Sequence, residues 1–227
     1  RSTRVRSSAA SDVYKRQTYD ELRLATAYLY MKPWFGFHST RLFAMGDARG
    51  NNIYGDNNNE TGYAPYCLFT DKPSTPGLAD AWNSLYIVVT QADYIINDYA
   101  PQGRQHFSEA QANACEGEAR FMRAAAYYYL ASYWHDVPIM ENPIAHTEAF
   151  NMAPTRFEDV IRYGIRDLEY AAEWLPLADA DGRVTRYSAL GLLARYYVTL
   201  AAYARGGHCT QATMDYYEAC LLYTSDA

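Results

Sequence analysis

The sequence predicts an all-α protein made of antiparallel helical hairpins with long irregular loop insertions. Apolar residues recur at alternating steps of three and four over several long stretches, which places them on one face of a helix. Three of these stretches open with a capping box, at Thr18/Glu21, Ser108/Gln111 and Thr155/Glu158. In each, two side chains reciprocally satisfy backbone donors that a helix start leaves free. Between the helices lie proline- and glycine-rich segments with no period.

The first helix starts at Thr18 and carries Leu22, Ala25 and Leu29 on its apolar stripe, which extends toward Trp34. Pro33 stops or kinks it. The aromatic run 34–38 then leaves the helix, and Trp34 either buries against the next helix pair or lines a ligand platform.

Residues 46–77 have no period and many turn-formers. A loop of this length inside a compact domain is usually functional or disordered. Its Ile53, Tyr54, Tyr63, Tyr66, Leu68 and Phe69 give it material to pack, which favours order. Asn, Asp and Arg interleaved with Tyr suit a sugar: aromatic faces for its C–H surface, amides and guanidinium for paired hydroxyls. The same composition fits an ordered surface loop with solvated polar residues. The candidate ligand-binding residues are Trp34, Arg49, Asn51, Tyr54, Asn57, Tyr63 and Tyr66. Asp56, Asn58 and Glu60 have the spacing that opens a calcium loop. An EF-hand would then want Gly and Glu where Thr61 and Cys67 stand, so calcium is not expected. His38, His106, His135, His146 and His208 are not spaced as ligand pairs, and no metal site is predicted.

The next helix carries Leu78, Trp82, Leu85, Val89, Ala92, Ile96 and Tyr99 on its seam and ends at Pro101 and Gly103. The long helix after Ser108 carries Ala112, Cys115, Ala119, Met122, Ala126, Tyr129 and Tyr133 until Pro138 ends it. Its many small residues let neighbours approach on more than one side. Cys115, on that seam, reads as a buried apolar residue. These two helices form one hairpin.

A connector, 139–154, leads to a second hairpin. Its seams are Phe157, Ile161, Gly164, Leu168, Ala171 and Leu175, then Ala189, Leu193, Tyr196, Leu200 and Tyr203, closing at Gly206-Gly207. Ala126-x-Tyr128-Tyr129 recurs as Ala194-x-Tyr196-Tyr197 in the second helix of each hairpin. Helical-hairpin repeats such as tetratricopeptide repeats show self-similarity of this kind, so the hairpins are expected to be tetratricopeptide-like. A third hairpin begins at Thr210.

The chain has 227 residues, and its net charge of −6 gives no basic footprint for nucleic acid. Its 23 tyrosines suit both helix packing and recognition. Four scattered cysteines form no disulfide framework, and no apolar run is long enough to cross a bilayer. Residues 11–17 and 221–227 resemble translated adaptor sequence, and 1–17 and 221–227 are read as a non-native or disordered leader and a non-native tail. The helical domain is expected to cover 18–220.

Several motifs in order carry a resemblance. Glu118-Ala119-Arg120-Phe121-Met122-Arg123-Ala124, followed by Tyr133-Trp134-His135-Asp136-Val137-Pro138, resembles the central signature of the SusD/RagB family. His135 stands where that signature has glycine before the acid. Trp82, Leu85-Tyr86 and Ala92 resemble an upstream element in which Asp93 replaces the usual asparagine. Arg156-Phe157…Asp167-Leu168…Leu175-Pro176 and Gly182-Arg183-x-Thr185…Leu193-x-Arg195 resemble two later elements. The likeness spans roughly 18–207.

The resemblance implies a surface lipoprotein of the outer membrane that binds oligosaccharide, performs no catalysis and delivers its ligand to a TonB-dependent SusC-like transporter. It implies no cofactor, and membrane contact only through a lipid anchor outside this sequence. On Glu118, Arg120 and Arg123 the helical spacing argues for bracing of neighbouring turns rather than ligand contact. Two alternatives are a tetratricopeptide-type scaffold for protein partners and an all-helical glycoside hydrolase fragment. The hydrolase would draw on paired acids among Asp47, Asp56, Asp93 and Asp136.

Overall fold

A computed structural model of the chain describes residues 18–31, 34, 36–50, 52, 64–75, 77–142 and 152–208. The leader, the tail, Thr210, Pro33, residues 143–151 of the connector and the Asp56–Asn58–Glu60 run lie outside them.

Helices dominate the described residues, and the one β feature among them is an isolated antiparallel bridge between Val137 and Thr155. Helix α1 spans Tyr19–Ala27 and tightens into a 3-10 turn, Tyr28–Tyr30. Two π-helical turns follow, Phe37–Arg41 and Ala44–Ala48. The remaining helices are α2 (Ala64–Cys67), α3 (Leu78–Tyr94), α4 (Ala100–Gly103), α5 (Glu109–Trp134), α6 (Phe157–Trp174) and α7 (Arg186–Tyr203).

The capping boxes at Thr18 and Ser108 form as the sequence predicts. The Glu21 and Gln111 backbone N–H groups each donate to the preceding hydroxyl at 3.3 Å. The predicted box at Thr155 does not form. Thr155 is held in the bridge to Val137, and the Phe157 N–H instead donates to Asp136 Oδ1 at 2.8 Å. An acid from the end of α5 thus caps α6, and that bond holds the Asp136 carboxyl below its ordinary range. Thr185 and Ser188 make a box at the start of α7 that the Ser/Thr-x-x-Glu/Gln pattern does not find.

The helix predicted over 78–103 follows one path, but a π turn, Ile95–Tyr99, divides α3 from α4. Pro101 explains the break. It lacks an N–H, and its ring crowds the carbonyl four residues back, so a widened turn just ahead relieves the clash.

Each successive pair of long helices is antiparallel. Trp82 at the start of α3 meets Trp134 at the end of α5, with ring centroids 5.3 Å apart. Tyr127 of α5 meets Tyr163 of α6 at 5.5 Å, and Phe157 meets Tyr203 of α7 at 4.7 Å. Helix α5 is central and packs on both hairpin partners. Ala119, Ala124, Ala126 and Ala131 are all buried, which allows close approach from both sides. The two repeated Ala-x-Tyr-Tyr motifs touch: Tyr128 and Tyr196 pack at 5.2 Å, and Tyr196 Oη donates to the Ala124 carbonyl at 2.6 Å. Gly164 makes that approach possible, because a Cβ there would lie 2.4 Å from Tyr196 Oη. Cys115 is buried, which pushes its thiol up to about 12.

The signature charges do more than brace their own helix. Arg120 does pair with Glu116 one turn back, at 2.7 Å. The other bonds tie helices together. Arg123 holds Asp167 of α6 at 2.8 and 2.7 Å, and Asp93 of α3 at 2.6 Å. Arg120 reaches Asp167 at 2.9 Å, and Arg104 pairs with Glu116. The result is a chain of alternating sign: Asp93, Arg123, Asp167, Arg120, Glu116, Arg104. Separately, buried Glu118 binds Arg183, at 2.7 Å. Arg183 also donates to Thr26 Oγ1 at 2.8 Å and to the Arg23 carbonyl at 2.9 Å, anchoring α1 to the second hairpin.

Candidate functional site

Where α3 begins and α5 ends, their seams run out toward solvent and carry indoles instead of aliphatic residues. Trp82 packs against Tyr86 at 4.8 Å and meets Trp134 edge to face at an interplanar angle of 80°. Tyr133 lies beside Trp134 at 6.2 Å and stacks nearly parallel on Tyr129 at 6.5 Å. The π turn Ala44–Ala48 brings Met45 and Arg49 to the same place, and the segment after α2 adds Asp71, Lys72 and Pro73. Together they line an open pocket of about 900 Å³.

The pocket sets half-buried aromatic rings beside polar side chains. Arg49 Nη1 bonds Asp71 Oδ2 at 2.9 Å, and its guanidinium lies 5.4 Å from the Phe69 ring centre. This combination suits a ligand with an apolar C–H face and several hydroxyls: a ring for stacking, and a cation and a carboxylate for paired hydrogen bonds.

The predicted site residues divide three ways. Arg49 lines the pocket. Asn51, Tyr54, Asn57 and Tyr63 lie outside the described residues. Trp34 and Tyr66 are in the interior. Trp34 is 8% exposed, donates its indole N–H to the Leu29 carbonyl at 2.8 Å and stacks on His38 at 5.1 Å. Burial lowers the His38 pKa. Trp34 therefore caps the 3-10 turn and supports Tyr129, at 6.3 Å, from behind. It offers no open face to a ligand, and neither does fully buried Tyr66. Trp82 and Tyr133, left on the helix seams by the sequence reading, and Trp134, left in the run that closes the second seam, are the pocket's aromatic residues. Their signal was a large aromatic residue at the end of an otherwise aliphatic or small-residue stripe.

Two of the four acids considered for hydrolysis are engaged elsewhere. Asp136 caps α6, and Asp93 is bound by Arg123 in the core. Among the described residues no group of three His, Cys, Asp or Glu side chains could hold a metal ion. No described helix is long and apolar enough to cross a membrane.

Next to Trp134, His135 has φ 67° and ψ −90°. That backbone region suits glycine and strains a side chain. It explains why the signature has glycine here: the chain must turn sharply between the end of α5 and the bridge at Val137. In this protein the imidazole stacks on Phe157 at 4.8 Å, and its Nδ1 lies 2.7 Å from Asp136 Oδ1. Releasing the strain should gain about 1–3 kcal/mol, and losing the stack should cost about 0.5–1.5 kcal/mol. His135→Gly is therefore expected to stabilise by about 1 kcal/mol and raise Tm by about 2–4 °C. A thermal melt checks this, and a lowered Tm would mean the Phe157 stack outweighs the strain.

A family model described as starch-binding associating with outer membrane, SusD-like, matches residues 38–198. A SusD-like protein of Bacteroides ovatus is 34% identical over 191 residues, covering 84% of this chain and 34% of that protein. A crystal structure with xylogluco-oligosaccharide is 34% identical with a TM-score of 0.68, over 79% of this chain and 34% of that one. A laminarin binding SusD-like protein shares the fold at 20% identity and a TM-score of 0.69, over 82% of this chain and 41% of that one. The chain thus spans about a third of the length of these relatives. The match over most of the chain, carried on the helices that hold the signature residues, shows that this chain belongs to the SusD-like family.

Proposed function

We propose that this chain is the helical part of a cell-surface oligosaccharide-binding protein, and that the pocket at Trp82, Tyr133 and Trp134 holds the sugar. The observation that carries the proposal is the pairing of two indoles with an Arg49–Asp71 pair at the rim of one open pocket. Bond cleavage is not part of the proposal, and Asp93 and Asp136, two of the acids that could serve it, are engaged in the fold. A relative solved with xylogluco-oligosaccharide and a laminarin-binding one support a glycan as the ligand class. The full protein sits at the outer membrane through a lipid anchor and passes its ligand to a TonB-dependent SusC-like transporter. Asn51, Tyr54, Asn57 and Tyr63 remain candidates for further ligand contacts.

Affinity electrophoresis against plant, host and microbial polysaccharides tests this reading. Retardation by at least one glycan is expected, and Trp134→Ala is expected to abolish it. Loss in Tyr54→Ala or Tyr63→Ala as well would extend the site onto residues 53–63. Retardation by none of the polysaccharides would overturn the reading in favour of a protein ligand. Shortened oligosaccharides appearing during the run would overturn it in favour of hydrolysis.

A further inference from the structure

The alternating charge chain between the helices ends differently on its two sides. Arg104, at one end, is partly exposed and bonds Asn113, Glu116 and Tyr170. Asp93, at the other, is fully buried. Asp167 receives three guanidinium bonds, two from Arg123 and one from Arg120. Asp93 receives one, at Oδ1, and its Oδ2 is buried with no hydrogen-bond partner.

A buried carboxylate oxygen without a donor disfavours the charged form, because nothing replaces the water it lost. The neutral acid carries a proton on one oxygen and keeps the other as acceptor for Arg123.

We propose that Asp93 is a proton-binding site of the native fold, taking up a proton at a pH where ordinary aspartates are ionised and leaving Arg123 to Asp167. In that form Asp93 presents one acceptor and one neutral polar group, as the asparagine of the family pattern does.

The charged and titratable neighbours act on Asp93 in both directions. From α5, Arg123 lowers the Asp93 pKa, while Tyr127 is held neutral by its own burial. From α6, Asp167 opposes ionisation, and Tyr163 is likewise held neutral by burial. Glu141, in the segment after α5, opposes ionisation as well. Asp98, in the π turn that continues α3, is hydrogen-bonded by Gln102. The π turn Phe37–Arg41 meets α3 at its opposite end, where Arg41 approaches Asp80 at 3.7 Å. Burial outweighs Arg123 and raises Asp93 to about 7. This places uptake in the neutral range.

The sign of the pH effect follows. The folded pKa lies above the unfolded one, so the native state holds more protons between about pH 4 and pH 7. The stabilisation is fully present below the unfolded pKa and is lost as pH rises through about 7.

Carbon-13 NMR of the full chain labelled at aspartate Cγ reads this directly, and Hβ–Cγ correlations assign the residue without a variant. Labelling aspartate alone keeps buried Glu118, also raised by burial, out of the spectrum. The Asp93 carboxyl is expected to titrate within about one unit of pH 7 and to vanish from the spectrum in Asp93→Asn. Asp93→Asn should also flatten the fall in unfolding free energy between pH 5 and 8. An Asp93 signal that titrates below pH 5, or an unchanged slope in a folded Asp93→Asn protein, would overturn the proposal.

Discussion

Arg123→Ala is expected to cost about 3–5 kcal/mol of stability, the largest effect of any single change considered for this protein. The guanidinium is the junction of three helices. It is 5% exposed and serves Asp93 on α3 and Asp167 on α6 from its own place on α5. Removing it leaves the Asp167 carboxylate to Arg120 alone and takes the one guanidinium donor from buried Asp93. The deficit should shrink at low pH, as the stranded acids protonate. Lysine cannot replace it well, since one ammonium cannot hold both acids in the geometry of a planar fork. The triple change Arg123→Met, Asp93→Asn, Asp167→Asn should recover most of the loss, because it removes the charges together instead of leaving any unpaired. Urea unfolding at pH 5 and pH 8 measures all of these. A loss below about 1 kcal/mol for Arg123→Ala would mean that the acids are hydrated or protonated throughout.

Trp134→Ala and Trp82→Ala should each weaken oligosaccharide binding at least about 30-fold, the loss of a central aromatic contact of about 2 kcal/mol or more. The two rings meet edge to face, so each also fixes the other, and removing one loosens the second. Their effects should therefore fall short of additive in the double variant. Both side chains are half-buried at helix ends, so the stability loss should be smaller than for a core aromatic such as Tyr127 or Tyr196. Isothermal titration with the glycan found by electrophoresis, paired with a melt, separates the two effects. Weakened binding that tracks lost stability across variants would argue that the rings serve folding alone.

The sequence made the scaffold legible because helix seams and caps are local. Periods of three and four place Leu85, Val89 and Ala92 in the core, and the boxes at Thr18 and Ser108 set two helix starts correctly. The failure at Thr155 has a tertiary cause: Asp136 arrives from another element and takes the N–H that a local cap would have taken. The charge chain was legible only as residues on one helix. Its partners, Asp93 and Asp167, lie 30 and 44 residues from Arg123, and periodicity does not report pairing across helices.

The candidate pocket was legible only in part, for the same reason. Residue chemistry picked out Arg49 and the aromatic-polar mixture around it. Trp34 and Trp82 look alike in sequence, each a tryptophan near an end of a helical stretch. Trp34 turns its N–H back to Leu29 and is covered by His38 and Tyr129, while Trp82 faces the pocket. Which indole is covered depends on the neighbours the fold brings to it. The resemblance, by contrast, singled out His135 as a departure from the signature, and the positive φ there is a backbone conformation that suits glycine.

The most direct test of the account is a crystal structure of the chain with an oligosaccharide of the glycan it binds. The account predicts a sugar ring against Trp82 or Trp134, with hydroxyls bonded at Arg49 or Asp71. A sugar bound on another face, with the Trp82–Trp134 pocket empty, would contradict it.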